Sequence, residues 1–407
     1  MSIKWKADHE RSVIVSSFEK RGWIKASVDE DWNVYWASVH TIRHLFSPDV
    51  RFRPSEEQLL NHFPNHLELT RKDLMVKNIK RYRKELEREG NPIAEKNSQG
   101  EYLHLELIPP TYSLPAELPL FLDHYRRNPN ILWILKPSAR AQGSGVFIVN
   151  KMSQLQKFTK RWANVSNVSA KDSYVASRYI HNPLLVGGRK FDLRLYVLVT
   201  SYRPLQAYLH RHGFARFCTQ PYSLDMSTLD NHFMHLTNIA IQKTGAEYNA
   251  DNGCKWHVSH LRVYLEQTYG IEAAGKCFEE MEFVIEQSLR ACQNVIINDK
   301  HCFECYGYDI IIDDNLRPWL IEVNASPSLS VTTDSDRAMK VQVISDVMNI
   351  VAPNSVVNAK VKSSVTPEDV DLGGFSVLVN DQAKEMKDRS DRMERKKRLE
   401  KPRVFKI

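Results

Sequence analysis

Apolar and polar residues alternate with a period of two through the middle of the chain, a pattern typical of half-buried strands. Short apolar runs bounded by Gly, Pro, Asn or Asp predict strands at 132–136, 146–150, 174–180, 191–200, 205–209, 214–219, 308–313 and 318–323. Helical spacing predicts helices at 70–89, 258–270, 273–293 and 335–351. The mixture predicts an α/β (α+β) protein dominated by sheet.

The length of 407 residues predicts more than one domain. We expect an N-terminal mixed α/β domain at 1–70, two β-rich lobes at 71–180 and 181–355, and a weakly structured basic tail at 356–407.

The two strands around residues 308–323 predict a hairpin that carries acidic groups. If Asp313 pairs with Pro318 across a four-residue loop, Asp309 lies opposite Glu322, and Asn324 shares the face of Glu322. Facing carboxylates destabilise a sheet unless a cation lies between them. Oxygen ligands of this kind suit Mg²⁺. The alternative is an acidic hairpin with one solvated face.

A second group of charges lies on the strand that begins near residue 190. Alternation places Lys190, Asp192 and Arg194 on one face and apolar residues on the other. Buried charges persist only when they are paired or bind a ligand. The row therefore predicts either a structural row of salt bridges or a site for phosphate and carboxylate groups.

A lysine followed by a glycine-rich loop lies between two other predicted strands. Lys136 ends one strand, and the loop Gln142–Gly143–Ser144–Gly145 precedes the next. Glycines let backbone N–H groups approach phosphates closely. No GK[ST] follows, so the loop is not a P-loop, and a plain hairpin turn is the alternative.

The composition of the chain indicates the charge of its partner and the compartment in which it works. Lys and Arg exceed Asp and Glu by 56 − 49 = 7, which favours an acidic partner. No nucleic-acid-binding signature and no membrane-spanning run is found, and the charged start MSIKWKADHERS is unlike a secretory signal, so we expect a cytosolic protein. The six cysteines form no disulfide framework and are expected to be reduced.

Seven strings together are similar to the tubulin tyrosine ligase-like family: LTRKDLMVKNIKR, WILKP, QGSG, GGRKFDLRLYVLV, HLTN, ECYGYDIIID and PWLIEVNASPSL. The resemblance covers about residues 5–355. It implies an ATP-grasp architecture, in which the nucleotide lies between the two β-rich lobes, and an ATP-dependent, Mg²⁺-dependent amino-acid ligase.

The resemblance also implies a role for individual residues. It implies nucleotide binding by Lys72, Lys136, Gln142, Gly143, Ser177, Arg178, Tyr179, Ile180, Lys190, Phe191, Asp192, Thr237 and Asn238. It implies that Arg216 and Lys255 bind free L-glutamate, and that Asp309, Glu322 and Asn324 bind magnesium. Lys136, Arg194 and Glu322 are the implied catalytic residues.

The strings NHFPNH and RYRKELEREG are similar to polyglutamylase members of that family that act within multi-subunit complexes. The implied activity adds glutamate to acidic tubulin C-terminal tails through an acyl phosphate. Implied partners are tubulin or microtubules and other subunits of a complex, and implied locations are the cytoplasm, the cytoskeleton, and the cilium or flagellum with its basal body. The alternatives are a glycine or tyrosine ligase of the same fold and a non-catalytic microtubule-associated scaffold.

Overall fold

The computed structural model describes residues 2–163, 173–248, 254–364 and 366–384, and it has a mixed α/β fold with three sheets. The strands are β1 (Lys4–Ala7), β2 (Ile24–Lys25), β3 (Val34–Trp36), β4 (Leu59–Leu60), β5 (Thr111–Leu114), β6 (Trp133–Pro137), β7 (Phe147–Val149), β8 (Tyr174–Arg178), β9 (Leu185–Val186), β10 (Arg189–Tyr202), β11 (Leu205–Phe217), β12 (Lys255–His257), β13 (Glu304–Ile312), β14 (Pro318–Asn324) and β15 (Phe375–Asn380).

The helices cover the sheets and carry several cleft residues at their ends. They are α1 (Ser12–Glu19), α2 (Val39–Leu45), α3 (Leu67–Thr70), α4 (Lys72–Arg88), α5 (Leu118–Arg127), α6 (Met152–Ala163), α7 (His232–His235), α8 (Ile239–Gln242), α9 (Val258–Tyr269), α10 (Ile271–Gln293), α11 (Asp334–Val351) and α12 (Ala359–Ser364). Across the described ranges, none of these helices is both long enough and apolar enough to span a bilayer.

The N-terminal sheet has the parallel order β2-β1-β3-β4 and is joined to the rest of the protein by backbone bonds. Leu60 donates its N–H to the carbonyl of His301 at 2.9 Å and accepts the N–H of Phe303 at 3.0 Å. One hydrophobic cluster contains side chains from β1, β3, β10 and α11. The N-terminal segment therefore packs directly against the largest sheet.

The second sheet has the antiparallel order β5-β8-β6-β7. Its own core includes Phe121 of α5 and Trp133 of β6, whose rings meet edge to face at 4.9 Å. This sheet places Lys136 at the end of β6 and the glycine-rich loop between β6 and β7.

The third sheet has seven strands, in the order β12-β11-β10-β13-β14, with β15 added to β11 and β9 to β10. The two strands predicted at 205–209 and 214–219 form one continuous strand, β11, whose pairing with β10 contains two register shifts. Phe191, Leu193 and Leu195 lie in the core with side chains of α9 and α10, so the predicted alternation along β10 is confirmed.

The β13–β14 hairpin confirms the central pairing but not the predicted turn. Ile312, and not Asp313, pairs with Pro318, and the register then shifts between Asp309 and Ile310 so that Asp309 faces Glu322. Asp313 instead caps the loop, where its Oδ1 accepts the N–H groups of Asn315 at 2.9 Å and of Arg317 at 3.0 Å. The extra residue of the bulge, Ile321, offsets the longer loop.

The expectation of a weakly structured tail from residue 356 is wrong for its described part, residues 356–364 and 366–384. Strand β15 pairs with β11, and Phe375 is buried. Lys362 is also buried, and its Nζ donates to the carbonyls of Thr200 and Cys302, each at 2.7 Å. This segment is ordered because it completes an edge of the large sheet. The part of the predicted basic tail after residue 384 lies outside the described residues.

All six cysteines are free, and five are buried, as the sequence predicted for reduced thiols. Cys254 is the half-buried exception.

Candidate functional site

A cleft of about 1100 Å³ lies between the β5-β8-β6-β7 sheet and the seven-stranded sheet. Its walls come from chain segments more than two hundred residues apart, which the fold brings together. Thirteen of the predicted site residues line it: Lys72, Lys136, Gly143, Ser177, Arg178, Tyr179, Ile180, Lys190, Asp192, Thr237, Asn238, Asp309 and Glu322.

Other predicted residues lie beside or away from the cleft. Gln142 is exposed in the loop, with φ 61°. The Phe191 side chain packs in the core against Phe217 and not in the cleft, because neighbouring strand residues face opposite sides. Lys255 belongs to a separate cluster, where its Nζ lies 3.2 Å from Oδ2 of Asp336.

Below the cleft, two arginines and two aspartates form a buried network. Arg194 donates to both oxygens of Asp309, at 2.5 and 3.0 Å. Arg216 donates from Nη2 to Asp309 at 2.8 Å and binds Asp192 through both Nε and Nη2. Asp192 and Arg194 of the charged strand therefore form salt bridges, as one of the two interpretations predicted. Asp192 also lines the cleft.

The hairpin places the predicted metal ligands together. Oε2 of Glu322 lies 2.8 Å from Nζ of Lys72, and Nδ2 of Asn324 lies 3.4 Å from Oε1 of the same glutamate. Burial opposes ionisation of Glu322, but the attraction of Lys72, Lys136 and Arg194 together outweighs it and lowers the pKa of this carboxyl. Burial raises the pKa of Asp309, against the attraction of its arginines. The solvated-face alternative does not describe this hairpin.

The donor set fits magnesium better than a softer metal. Two facing carboxylates and an amide offer hard oxygen atoms, and Mg²⁺ is usually held by one or two carboxylates together with phosphate oxygens and water. No group of three or more His, Cys, Asp or Glu residues suited to a metal is found among the described residues. The site therefore needs further oxygen ligands, such as those of a phosphate.

Lys136 is a cleft cation that has no protein acceptor among the described residues. In the described part of the chain its Nζ has no hydrogen bond or ion pair, whereas Lys72 pairs with Glu322. Burial lowers the pKa of the Lys136 ammonium to about 8, although Glu322 opposes this effect. A buried ammonium without a partner is costly, so the position favours an anionic ligand.

The glycine-rich loop closes over one side of the cleft. Gly143 has φ 75°, and a Cβ at this residue would lie 2.6 Å from Cδ1 of Ile241 and 2.9 Å from Oδ1 of Asn238. Glycine is needed here both for the backbone conformation and for the close approach to the Thr237–Asn238 segment. The loop is thus packed against the opposite wall, unlike a plain hairpin turn.

Sequence reasoning missed two charged residues next to the predicted glutamate site. Asp336 and Lys340, one turn apart on α11, form a 2.9 Å ion pair, and Asp336 also binds Lys255. Their i,i+4 spacing was the available signal, but this spacing is common on exposed helices.

Comparisons with known proteins show a family and relatives that match most of this chain. The family model "Tubulin-tyrosine ligase family" matches residues 50–360. A Tetrahymena thermophila protein named "Probable alpha-tubulin polyglutamylase Ttll1" is 49% identical over 390 residues, covering 95% of this chain and 94% of that protein. A Bos taurus protein named "Probable tubulin polyglutamylase TTLL9" is 38% identical over 408 residues, covering 93% and 84%. A Caenorhabditis elegans protein named "Probable tubulin polyglutamylase ttll-9" is 38% identical over 361 residues, covering 88% and 81%.

Proposed function

The chain belongs to the tubulin-tyrosine ligase family, and from that premise we propose that it is an ATP-dependent ligase that adds glutamate to acidic tubulin C-terminal tails. The observation that carries the proposal is the cleft between two sheets. It combines Lys136, which has no partner in the described ranges, with the facing carboxylates of Asp309 and Glu322. Such a combination suits a magnesium-bound triphosphate.

ATP lies, in this proposal, between the two β-rich lobes in the manner of an ATP-grasp enzyme. Adenine contacts the Ser177–Ile180 segment, which continues from β8 into the cleft wall. Lys72, Lys136 and Lys190 face the phosphates, and the loop at Gly143 covers them. The cations offset the charge of the triphosphate and of the approaching carboxylate.

Magnesium would be held by Asp309, Glu322 and Asn324, and when bound it supplies charge neutralisation at the phosphate oxygens. Arg194 fixes Asp309 through two hydrogen bonds, at 2.5 and 3.0 Å. The guanidinium thus orients that carboxylate and places a fixed positive charge near the transferred phosphoryl group.

The reaction has two steps. An oxygen of an acceptor carboxylate on the tubulin tail attacks the γ-phosphorus of ATP, which forms an acyl phosphate and releases ADP. The amine of free glutamate then attacks the acyl carbon and releases phosphate, forming an amide bond and losing a proton. ATP is required because a carboxylate is unreactive toward amines in water.

Arg216 and Lys255 are proposed to bind the incoming glutamate. They lie directly opposite each other in the β11–β12 ladder, so their side chains share a face. Burial lowers the pKa of Lys255 to about 8, against the attraction of Asp336. Arg216 is already bound by two aspartates, so glutamate would bind beside this network rather than replace it.

The net charge of the chain and its similarity to named polyglutamylases support the proposed protein partners. The excess of 7 positive charges favours an acidic tail. We further propose that the protein works with other subunits of a polyglutamylase complex, at the cytoskeleton and in cilia or flagella and their basal bodies.

The test is mass spectrometry of tubulin after incubation with the full chain, Mg²⁺, ATP and equal amounts of isotopically distinct glutamate, glycine and tyrosine. A parallel incubation adds a cell extract as a source of partner subunits. We expect ladders spaced by glutamate, and none with Glu322→Gln, which keeps the side-chain shape but removes the charge.

Incorporation of glycine or tyrosine instead would assign a different ligase. Unmodified tubulin in both incubations, together with no binding of Mg-ATP by calorimetry, would favour the scaffold alternative. Full activity of Glu322→Gln would contradict the metal assignment.

A further inference from the structure

Lys190 is a buried cation of the cleft that has no carboxylate partner among the described residues. It is 6% exposed. Its Nζ donates to the hydroxyl of Tyr179 at 3.1 Å and to the carbonyl of His235 at 3.0 Å, and it lies 4.6 Å from the centroid of the Tyr179 ring. The nearest carboxylate on its strand, Asp192, is bound by Arg216.

The direction of each hydrogen bond around Lys190 follows from chemistry. Nε2 of His235 lies 3.1 Å from the carbonyl oxygen of Thr228, which can only accept, so Nε2 carries the proton. Burial lowers the pKa of His235 to about 4, so the ring is neutral at pH 7 and Nδ1 accepts. Tyr179 therefore donates its single proton to Nδ1, at 3.0 Å, and its oxygen accepts from Lys190.

Apart from Asp192, which Arg216 binds, the groups facing this chain of bonds carry no negative charge. Burial raises the pKa of the Cys218 thiol to about 12 and also raises that of the Tyr222 hydroxyl, so both are neutral. His232 faces His235 from the same helix and bears no negative charge. Lys190 is thus held in place by neutral hydrogen-bond acceptors, and the only carboxylate that attracts it among the described residues, Asp192, is itself bound by Arg216.

We propose that Tyr179 and His235 are positioning residues, which hold Lys190 so that its remaining N–H and its charge meet an anionic group of the nucleotide. The inference rests on the proposed ATP-dependent function and adds two residues that act through Lys190. A carboxylate in place of the Tyr179 hydroxyl would neutralise the ammonium and weaken this attraction. The tautomer set by Thr228 keeps the acceptor on Tyr179 available.

The experiment is a double-mutant cycle on Mg-ATP affinity, measured by calorimetry with the full chain. Tyr179→Phe removes the acceptor, and we expect about tenfold weaker binding, the value of one hydrogen bond to a charged group. In the Lys190→Met background, Tyr179→Phe should have no further effect, because the hydroxyl that it removes acts only through Lys190, while the ring and backbone that border the cleft are kept. A purely structural role would give the same loss in both backgrounds.

Histidine variants provide a second, independent measurement. His235→Gln retains a donor and an acceptor and should bind Mg-ATP within about threefold of wild type, whereas His235→Leu should lose about tenfold. Tyr112→Phe is the matched control, because the Tyr112 hydroxyl also bonds a histidine, Nδ1 of His124 at 2.8 Å, but outside the cleft. It should leave affinity unchanged.

Each outcome decides between the two proposals. Unchanged affinity in Tyr179→Phe, or equal losses with and without Lys190, overturns the inference while the proposed function stands. Failure of the wild-type chain to bind Mg-ATP overturns the proposed function, and the inference with it.

Discussion

The affinity for ATP should fall as the pH rises above 8, because Lys136 then loses its proton in the free protein. Burial lowers the pKa of this ammonium to about 8. Phosphates bound beside it would raise the pKa again, so binding takes up a proton and weakens with increasing pH. If ionisation of a magnesium-binding carboxylate controlled binding instead, the affinity would rise with increasing pH.

The size of the effect follows from the pKa. With a value of about 8 in the free protein, the fraction of deprotonated Lys136 rises from about one tenth at pH 7 to about nine tenths at pH 9. The apparent dissociation constant should therefore increase about tenfold between these two pH values, or about 1.4 kcal/mol. At pH 8, binding should take up about half a proton.

The assay is calorimetry of Mg-ATP binding at pH 7, 8 and 9, in buffers of different ionisation enthalpy to count protons. Lys136→Arg is the matched control, since a guanidinium keeps its charge throughout this range. Any change shared by both proteins reports ionisation of the nucleotide or of another residue. Equal pH dependence in wild type and Lys136→Arg would refute the reasoning.

Three further predictions concern stability, each measured by urea unfolding. Arg216→Ala leaves two buried aspartates without a shared partner and should cost about 3–5 kcal/mol; a loss below 1 kcal/mol would mean that the network is not stabilising. Asp313→Ala removes the acceptor of two turn N–H groups and should cost about 2 kcal/mol, more than Asp314→Ala in the exposed part of the same turn. Phe375→Ala should cost about 3–4 kcal/mol and increase hydrogen exchange in the part of β11 that pairs with β15. Val377→Ala, which changes an exposed residue of the same strand, is the control and should have a smaller effect. Equal effects of the two substitutions would show that the Phe375 ring does not anchor β15.

The hairpin shows how far local patterning predicts a site. Alternation placed Asp309 opposite Glu322, and the structure agrees. The assumed turn was wrong by one residue, and a bulge at Ile321 cancelled the error. Side-chain period alone does not reveal a bulge at two adjacent apolar residues, Leu320 and Ile321, because either residue is acceptable at the edge of a core.

The C-terminal segment shows the opposite case. Its breaks at Pro, Gly and Asn predicted weak structure, yet β15 pairs with β11. A strand of 6 residues has little stability of its own, so its order comes from the sheet edge that it covers. That edge is formed by residues far away in the chain, and local patterning carries no information about it.

By itself, the sequence determined the positions of the longest strands and of four long helices, the faces on which charges lie, and the strings that resemble a family of ligases. These features depend on neighbouring residues and on the periods of strand and helix. Only the tertiary structure decided how the charges are used: Arg216 is shared between two aspartates, Lys72 pairs with Glu322, and Lys136 has no partner among the described residues. The reason is physical, since the energy of a buried charge depends on distance and burial, and the fold sets both between residues remote in the chain.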